Sequence, residues 1–146
     1  MGSVAAIFAA IYIDQGTARR ERKAKQSEAR ELREGRWKAV ANCAAVLEEV
    51  GTSFDDCVFS SGEVHQLSEA HRFQIDGLIE TMRRLSKRGT LDDPDLAAAL
   101  TQAFVVLANT FDELCRMSVD SDVARDAFRS AALSRAKVIR GLLKAK

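Results

Sequence analysis

Residues 91–117 read LDDPDLAAALTQAFVVLANTFDELCRM. Asp93 stands where an N-cap carboxylate accepts from free amides of the first turn. Pro94 falls at the first helical position, where its missing N–H costs nothing, and Asp95 complements the positive end of the helix dipole. Leu96, Leu100, Ala103, Phe104, Leu107, Phe111 and Leu114 then recur at the 3–4 spacing of a single buried face. The stretch predicts a core helix, and its flanks repeat the pattern.

Downstream, Asp120 or Ser121 opens a further helix with Ala124, Phe128, Ala131, Val138, Ile139 and Leu142 on one face. It ends in a cationic turn of Arg140, Lys144 and Lys146, as the dipole favours. Upstream, the spacing of Val64, Leu67, His71, Ile75, Leu78, Met82 and Leu85 predicts a helix from Glu63 to Lys87, stopping at Arg88-Gly89. Before it, GTSFDDCVFSSG (51–62) reads as a loop with Phe54, Val58 and Phe59 tucked beneath it. A long first helix is expected from Thr17 to Val50, in which Trp37, Val40, Ala41, Ala44 and Leu47 form the buried stripe. Its first half, residues 17–31, is polar all round, so it projects into solvent or meets a partner. No alternation of β-branched residues predicts a strand. Short connections imply antiparallel neighbours. The expected fold is all-α, an up-and-down four-helix bundle with an overhanging first helix and a short apolar N-terminal segment. Its divisions fall at 1–16 (apolar segment), 17–36 (basic polar helix) and 37–146 (bundle).

The chain has 146 residues, 47% hydrophobic and 29% charged, which suits one globular core and rules out wholesale disorder. A net charge of +1 gives no global attraction to nucleic acid or to an anionic membrane. The distribution is uneven, with nine Lys/Arg against four Asp/Glu between Thr17 and Lys38. Three cysteines without CxxC spacing point to free thiols in a reducing compartment, with Cys43 and Cys115 among apolar helical residues.

The opening ten apolar residues, Val4 to Ile13, cover roughly 15 Å as a helix, half of a ~30 Å hydrocarbon core. Val4, Ile7, Phe8, Ile11 and Tyr12 form a bulky stripe, and Gly2, Ala6 and Ala10 a small face of the kind that lets helices approach in lipid. Arg19, Arg20, Arg22, Lys23 and Lys25 follow at once, matching an interfacial anchor with positive flanking and suiting contact with an anionic surface. The stretch GSVAAIFAAIYIDQGTARRERKAKQSEARELRE resembles the start of uncharacterised bacterial proteins with one N-terminal membrane helix, a basic Arg/Glu-rich helix and a small helical domain. That resemblance implies topology and no activity: a bundle in the cytoplasm, at the inner face of the bacterial membrane. In that group the apolar run begins several residues earlier, so the resemblance implies either a shortened N-terminus or a later start codon here. The competing reading packs Val4–Tyr12 between subunits of a soluble homo-oligomer.

Signals for chemistry are sparse. His71, the polar member of an apolar stripe, is a candidate metal ligand or pH switch, and is read as a hydrogen-bonded core residue. His65 and Glu69 are four apart and share a helical face, whereas His65 and His71, six apart, do not. No Glu-x-x-His pair of a di-iron bundle occurs. HEPN-type ribonucleases carry an Arg-x4–6-His motif on a late helix, and no histidine follows His71. Cys115 is read as a buried, inert thiol. No glycine-rich phosphate loop is present. The basic run lacks an aromatic platform for bases, since Trp37 belongs to the core stripe, which argues against nucleic acid. The expectation is a membrane-associated helical module that binds a protein partner or itself, with no cofactor, no metal and no small-molecule substrate. A lesser reading makes it a hydrolase or metal protein using His71 or His65.

Overall fold

The computed structural model describes residues 3–61, 64–88, 93–117 and 121–144, with the side chains of 3–14, 61 and 64 left aside. The chain is predominantly helical. Its elements are α1 (Ser3–Thr52), α2 (Phe54–Cys57), β1 (Val58–Ser61), β2 (Val64–Leu67), α3 (Glu69–Lys87), α4 (Pro94–Arg116) and α5 (Asp122–Lys144). It divides into two compact units, Met1–Glu34 and Gly35–Lys146.

In the first unit every described side chain from Gln15 onward is exposed except Gly16 and Leu32, which are half-buried. Among these described side chains no apolar stripe is buried, and local pairs such as Arg30–Glu34 (2.9 Å) decorate the helix. Exposed pairs of that spacing add only about 0.3–0.5 kcal/mol each.

The second unit carries the core. Trp37, Val40, Cys43, Ala44 and Leu47 of α1 meet Ile75, Leu78 and Met82 of α3, Leu96, Leu100, Ala103 and Leu107 of α4, and Ala136 and Ile139 of α5. A second cluster gathers Val50, Phe54, Cys57, Val58, Leu114 and Phe128, with Phe54 and Phe128 edge-to-face at 5.7 Å. The α4 start is as its sequence dictates, since Asp93 Oδ1 accepts from Leu96 N at 3.1 Å with Pro94 beside it. Ser121 Oγ likewise accepts from Ala124 N, at 3.1 Å, at the start of α5. Two faces are corrected. On α5 the buried positions are Phe128, Ala132, Ala136 and Ile139, while Val138 is half exposed. The buried face of α1 is wider than the expected stripe and takes in Ala39, Cys43, Val46 and Val50, leaving Ala41 half-buried.

The main departure lies at residues 58–67, where a hairpin replaces a loop and the start of a helix. The register pairs Val58 with Leu67, Phe59 with Gln66, Ser60 with His65 and Ser61 with Val64. Cross-strand partners share a face, so Val58, His65 and Leu67 turn inward while Phe59 and Gln66 stay exposed, the reverse of what was expected for Phe59. A two-residue link beginning with glycine is the sequence pattern of tight hairpins. The helix that the apolar spacing placed from Glu63 begins instead at Glu69, because Ser68 caps it: its Oγ accepts from His71 N.

Arginines bind the helix ends together. Arg36, only 4% exposed, donates from Nε to Leu85 O at 3.1 Å and from its terminal nitrogen to Arg88 O, serving the last carbonyls of α3. Arg129 donates to Gly51 O at 3.2 Å and Thr52 O at 3.4 Å, the same service for α1. There α1 and α5 approach so closely that a Cβ on Gly51 would lie 2.7 Å from Leu133 Cγ and 3.2 Å from Arg129 O. Gly51→Ala is therefore expected to destabilise by about 1–2 kcal/mol, since overpacking outweighs the gain in helix propensity. Gly141→Ala, whose Cβ would meet nothing within 4 Å, is expected to stabilise by up to about 1 kcal/mol. Urea unfolding of the two variants side by side checks both signs.

Arg135 forms a two-pronged pair with Glu113 (2.6 Å on each prong) and also donates to the buried Thr110 hydroxyl at 3.0 Å. Chiefly through these hydrogen bonds, Arg135 holds the Glu113 carboxyl below its usual value of 4.5. A carboxyl depressed in the folded state stabilises above its unfolded pKa and loses that contribution as pH falls through the folded one. Glu113 is half exposed, so the effect is screened. Glu113→Gln is expected to lower the urea midpoint at pH 7, and the gap to the parent should close as pH falls below about 4.5.

Candidate functional site

The hairpin and the Ser68 cap bring together three side chains that are distant in sequence. Glu49 lies in the last turn of α1, Cys57 ends α2, and His71 is the third residue of α3. His71 Nε2 is 3.3 Å from Cys57 Sγ and 3.3 Å from Glu49 Oε1. All three donor atoms lie within 4.8 Å of one another. On the other side of the ring, His71 Nδ1 is 2.6 Å from Ser68 Oγ, so the cap that starts α3 also fixes the imidazole plane. Cys57 is buried at the floor, whereas the Glu49 side chain is 48% exposed and opens the cluster to solvent. Burial, then the negative charges of Glu49 and Asp56, push the Cys57 thiol above its ordinary range. An isolated nucleophile would need the opposite shift.

The expected placement of His71 in the middle of a helical stripe is thus corrected: it sits in the first turn of α3, with its ring among polar atoms. His65 lies on β2, not on a helix, so it shares no helical face with Glu69. Its ring is 2% exposed, edge-on to Phe54 at 5.7 Å, with Nδ1 3.2 Å from Ser60 Oγ. Its Nε2 has no hydrogen-bond partner among the described residues. Solvent does not reach it. Cys115, expected to be buried, is exposed, because it follows Leu114 and lies one step around the helix from the buried face. Cys43 is buried, 3.2 Å from Ala103 O, and burial pushes its thiol up to about 12.

Of the residues expected to meet a membrane or a second copy, Gly2 and the side chains of Val4, Ala6, Ile7, Phe8, Ala10, Ile11 and Tyr12 lie outside the described ones, although 3–14 are helical. Arg19, Arg20, Arg22, Lys23 and Lys25 are exposed along α1. Among the described residues no helix is long and apolar enough to cross a membrane. The second unit also carries an open, mainly apolar groove of about 570 Å³ between α1 and α3, lined by Val46, Leu78 and Leu85 together with polar residues such as Asn42 and Thr81. Phe73, 81% exposed, stands on the surface of α3.

Comparison with models of protein families, with curated proteins and with solved structures finds no match to this chain. The architecture and the cluster define a predominantly helical protein with a small hairpin insert.

Proposed function

We propose that this chain is a non-catalytic helical interaction module that works at a membrane surface and binds a protein partner or a second copy of itself. The observation that carries the reading is the first unit: a helix exposed at nearly every described position and strongly basic from Arg19 to Lys25. From Gln15 to Glu34 the described side chains bury no face against a core, so their charge is available to anionic lipid, at about 1 kcal/mol per basic residue near such a surface. The apolar run Val4–Ile13 ahead of it supplies the apolar half of a two-part membrane contact. For the second unit the matching reading is an up-and-down four-helix bundle of α1, α3, α4 and α5. It is supported by the common core of these helices and by the short links joining α3, α4 and α5.

Liposome flotation tests the membrane reading with the full chain and a version beginning at Thr17, on anionic and neutral vesicles at low and high salt. The full chain is expected to float and to resist release by salt, and the shortened one to remain below. If neither floats, the membrane reading fails. In that case a discrete assembly of the full chain that becomes monomeric on removal of residues 1–16 would assign the apolar segment to self-association.

A further inference from the structure

The geometry points to a binding site for one divalent transition-metal ion, zinc by donor chemistry, at Glu49, Cys57 and His71. The site is independent of the membrane reading and rests on convergence. A ring nitrogen offers either one lone pair or one hydrogen, yet His71 Nε2 has a sulfur and a carboxylate oxygen equally near, both at 3.3 Å. One hydrogen cannot serve both well, whereas a cation at their centre engages all three donors. With Zn–S near 2.3 Å and Zn–N or Zn–O near 2.0–2.2 Å, the edges of a zinc tetrahedron measure about 3.3–3.6 Å. The two distances at His71 match that scale, and the third donor pair lies within 4.8 Å.

The surroundings fit as well. Ser68 Oγ accepts from the His71 backbone N–H at the start of α3 and lies 2.6 Å from Nδ1. Holding the Nδ1 hydrogen there leaves the Nε2 lone pair directed at the centre of the cluster, the outer-shell arrangement typical of ligating histidines. Thiolate, imidazole and carboxylate together suit zinc better than the all-oxygen sites of calcium or magnesium. Three protein ligands leave the fourth position to water, which enters past the exposed Glu49. On binding, the Cys57 thiol gives its proton to solvent and its sulfur bonds the metal. The ion then ties together the end of α1, the end of α2 and the start of α3, adding a direct bond where these segments otherwise meet through apolar packing and the Ser68 N to Cys57 O hydrogen bond (2.7 Å).

Cobalt(II) titration of the full chain, stripped with a chelator and carrying Cys115→Ser to remove the exposed thiol, tests the site. One cobalt per chain is expected, with a thiolate-to-cobalt charge-transfer band that zinc abolishes and Cys57→Ser eliminates. Glu49→Gln, a change at an exposed side chain, is expected to weaken binding by at least about tenfold. Ser68→Ala should weaken it by roughly ten- to a hundredfold through loss of ring orientation. Zinc should raise the thermal midpoint of the parent and fail to raise that of Cys57→Ser at the same concentration. Absence of the charge-transfer band in the folded parent, or its persistence in Cys57→Ser, would overturn the proposal and leave Glu49, Cys57 and His71 as a hydrogen-bonded cluster.

Discussion

Leu107→Ala is expected to lower the unfolding free energy of the second unit by about 3–4 kcal/mol, the middle of the range for a fully buried leucine. Leu107 has no exposed surface and lies in the core shared by α1, α3, α4 and α5. The same buried cluster includes Ala44, Ala103 and Ala136, none with exposed surface. Alanines have no rotamers with which to fill a void, so the cavity stays open and its walls lose their dispersion contacts. Urea unfolding followed by far-ultraviolet circular dichroism measures the loss. A cost under about 1 kcal/mol would mean that the four helices do not share the core described.

Arg36→Met is the second large effect, expected at about 2–3 kcal/mol for the loss of charge-assisted bonds from a buried guanidinium. Methionine keeps much of the apolar stem but leaves the carbonyls of Leu85 and Arg88 without their donor. Leu85 lies in the last turn of α3 and Arg88 is its C-cap, so neither carbonyl has a partner within the helix. The damage should therefore be local as well as global. Amide exchange in the last turn of α3 is expected to quicken, while α5, which Arg36 does not serve, keeps its protection relative to global unfolding. Arg36→Lys should recover part of the loss, since an ammonium reaches one carbonyl where the fork reaches two. Uniform exchange acceleration in α3 and α5 alike would contradict the capping role.

The sequence carried the helices because each has a long apolar period and its own stop or start signals. Asp93, Pro94 and Ser121 perform the roles their chemistry dictates, and the α4 face is the one its leucines spell out. The hairpin escaped because its strands are four residues each, too short for an alternating pattern to stand out. Val64, Leu67 and His71 happen to fall at helical spacing, and the cap that breaks the run, Ser68, is a single hydroxyl. That one residue explains both misplaced histidines: with the helix starting at Glu69, His65 becomes a buried strand residue and His71 a first-turn residue. The Glu49–Cys57–His71 cluster was illegible for the same reason. Its members are eight and fourteen positions apart on three different elements, and only the fold of the hairpin closes the distance. Cys115 is exposed because apolar neighbours in sequence, such as Leu114, occupy a different side of the helix.

The three thiols form a graded set of chemical clocks. A maleimide or disulfide reagent added to the folded chain should modify Cys115 at once, because it is exposed on α4. Cys57 should react only when the hairpin lifts from the end of α1, and Cys43, sealed against Ala103, only when the core itself opens. Pulsed alkylation read by mass spectrometry would thus time a local opening and a global one in the same sample, without any introduced label.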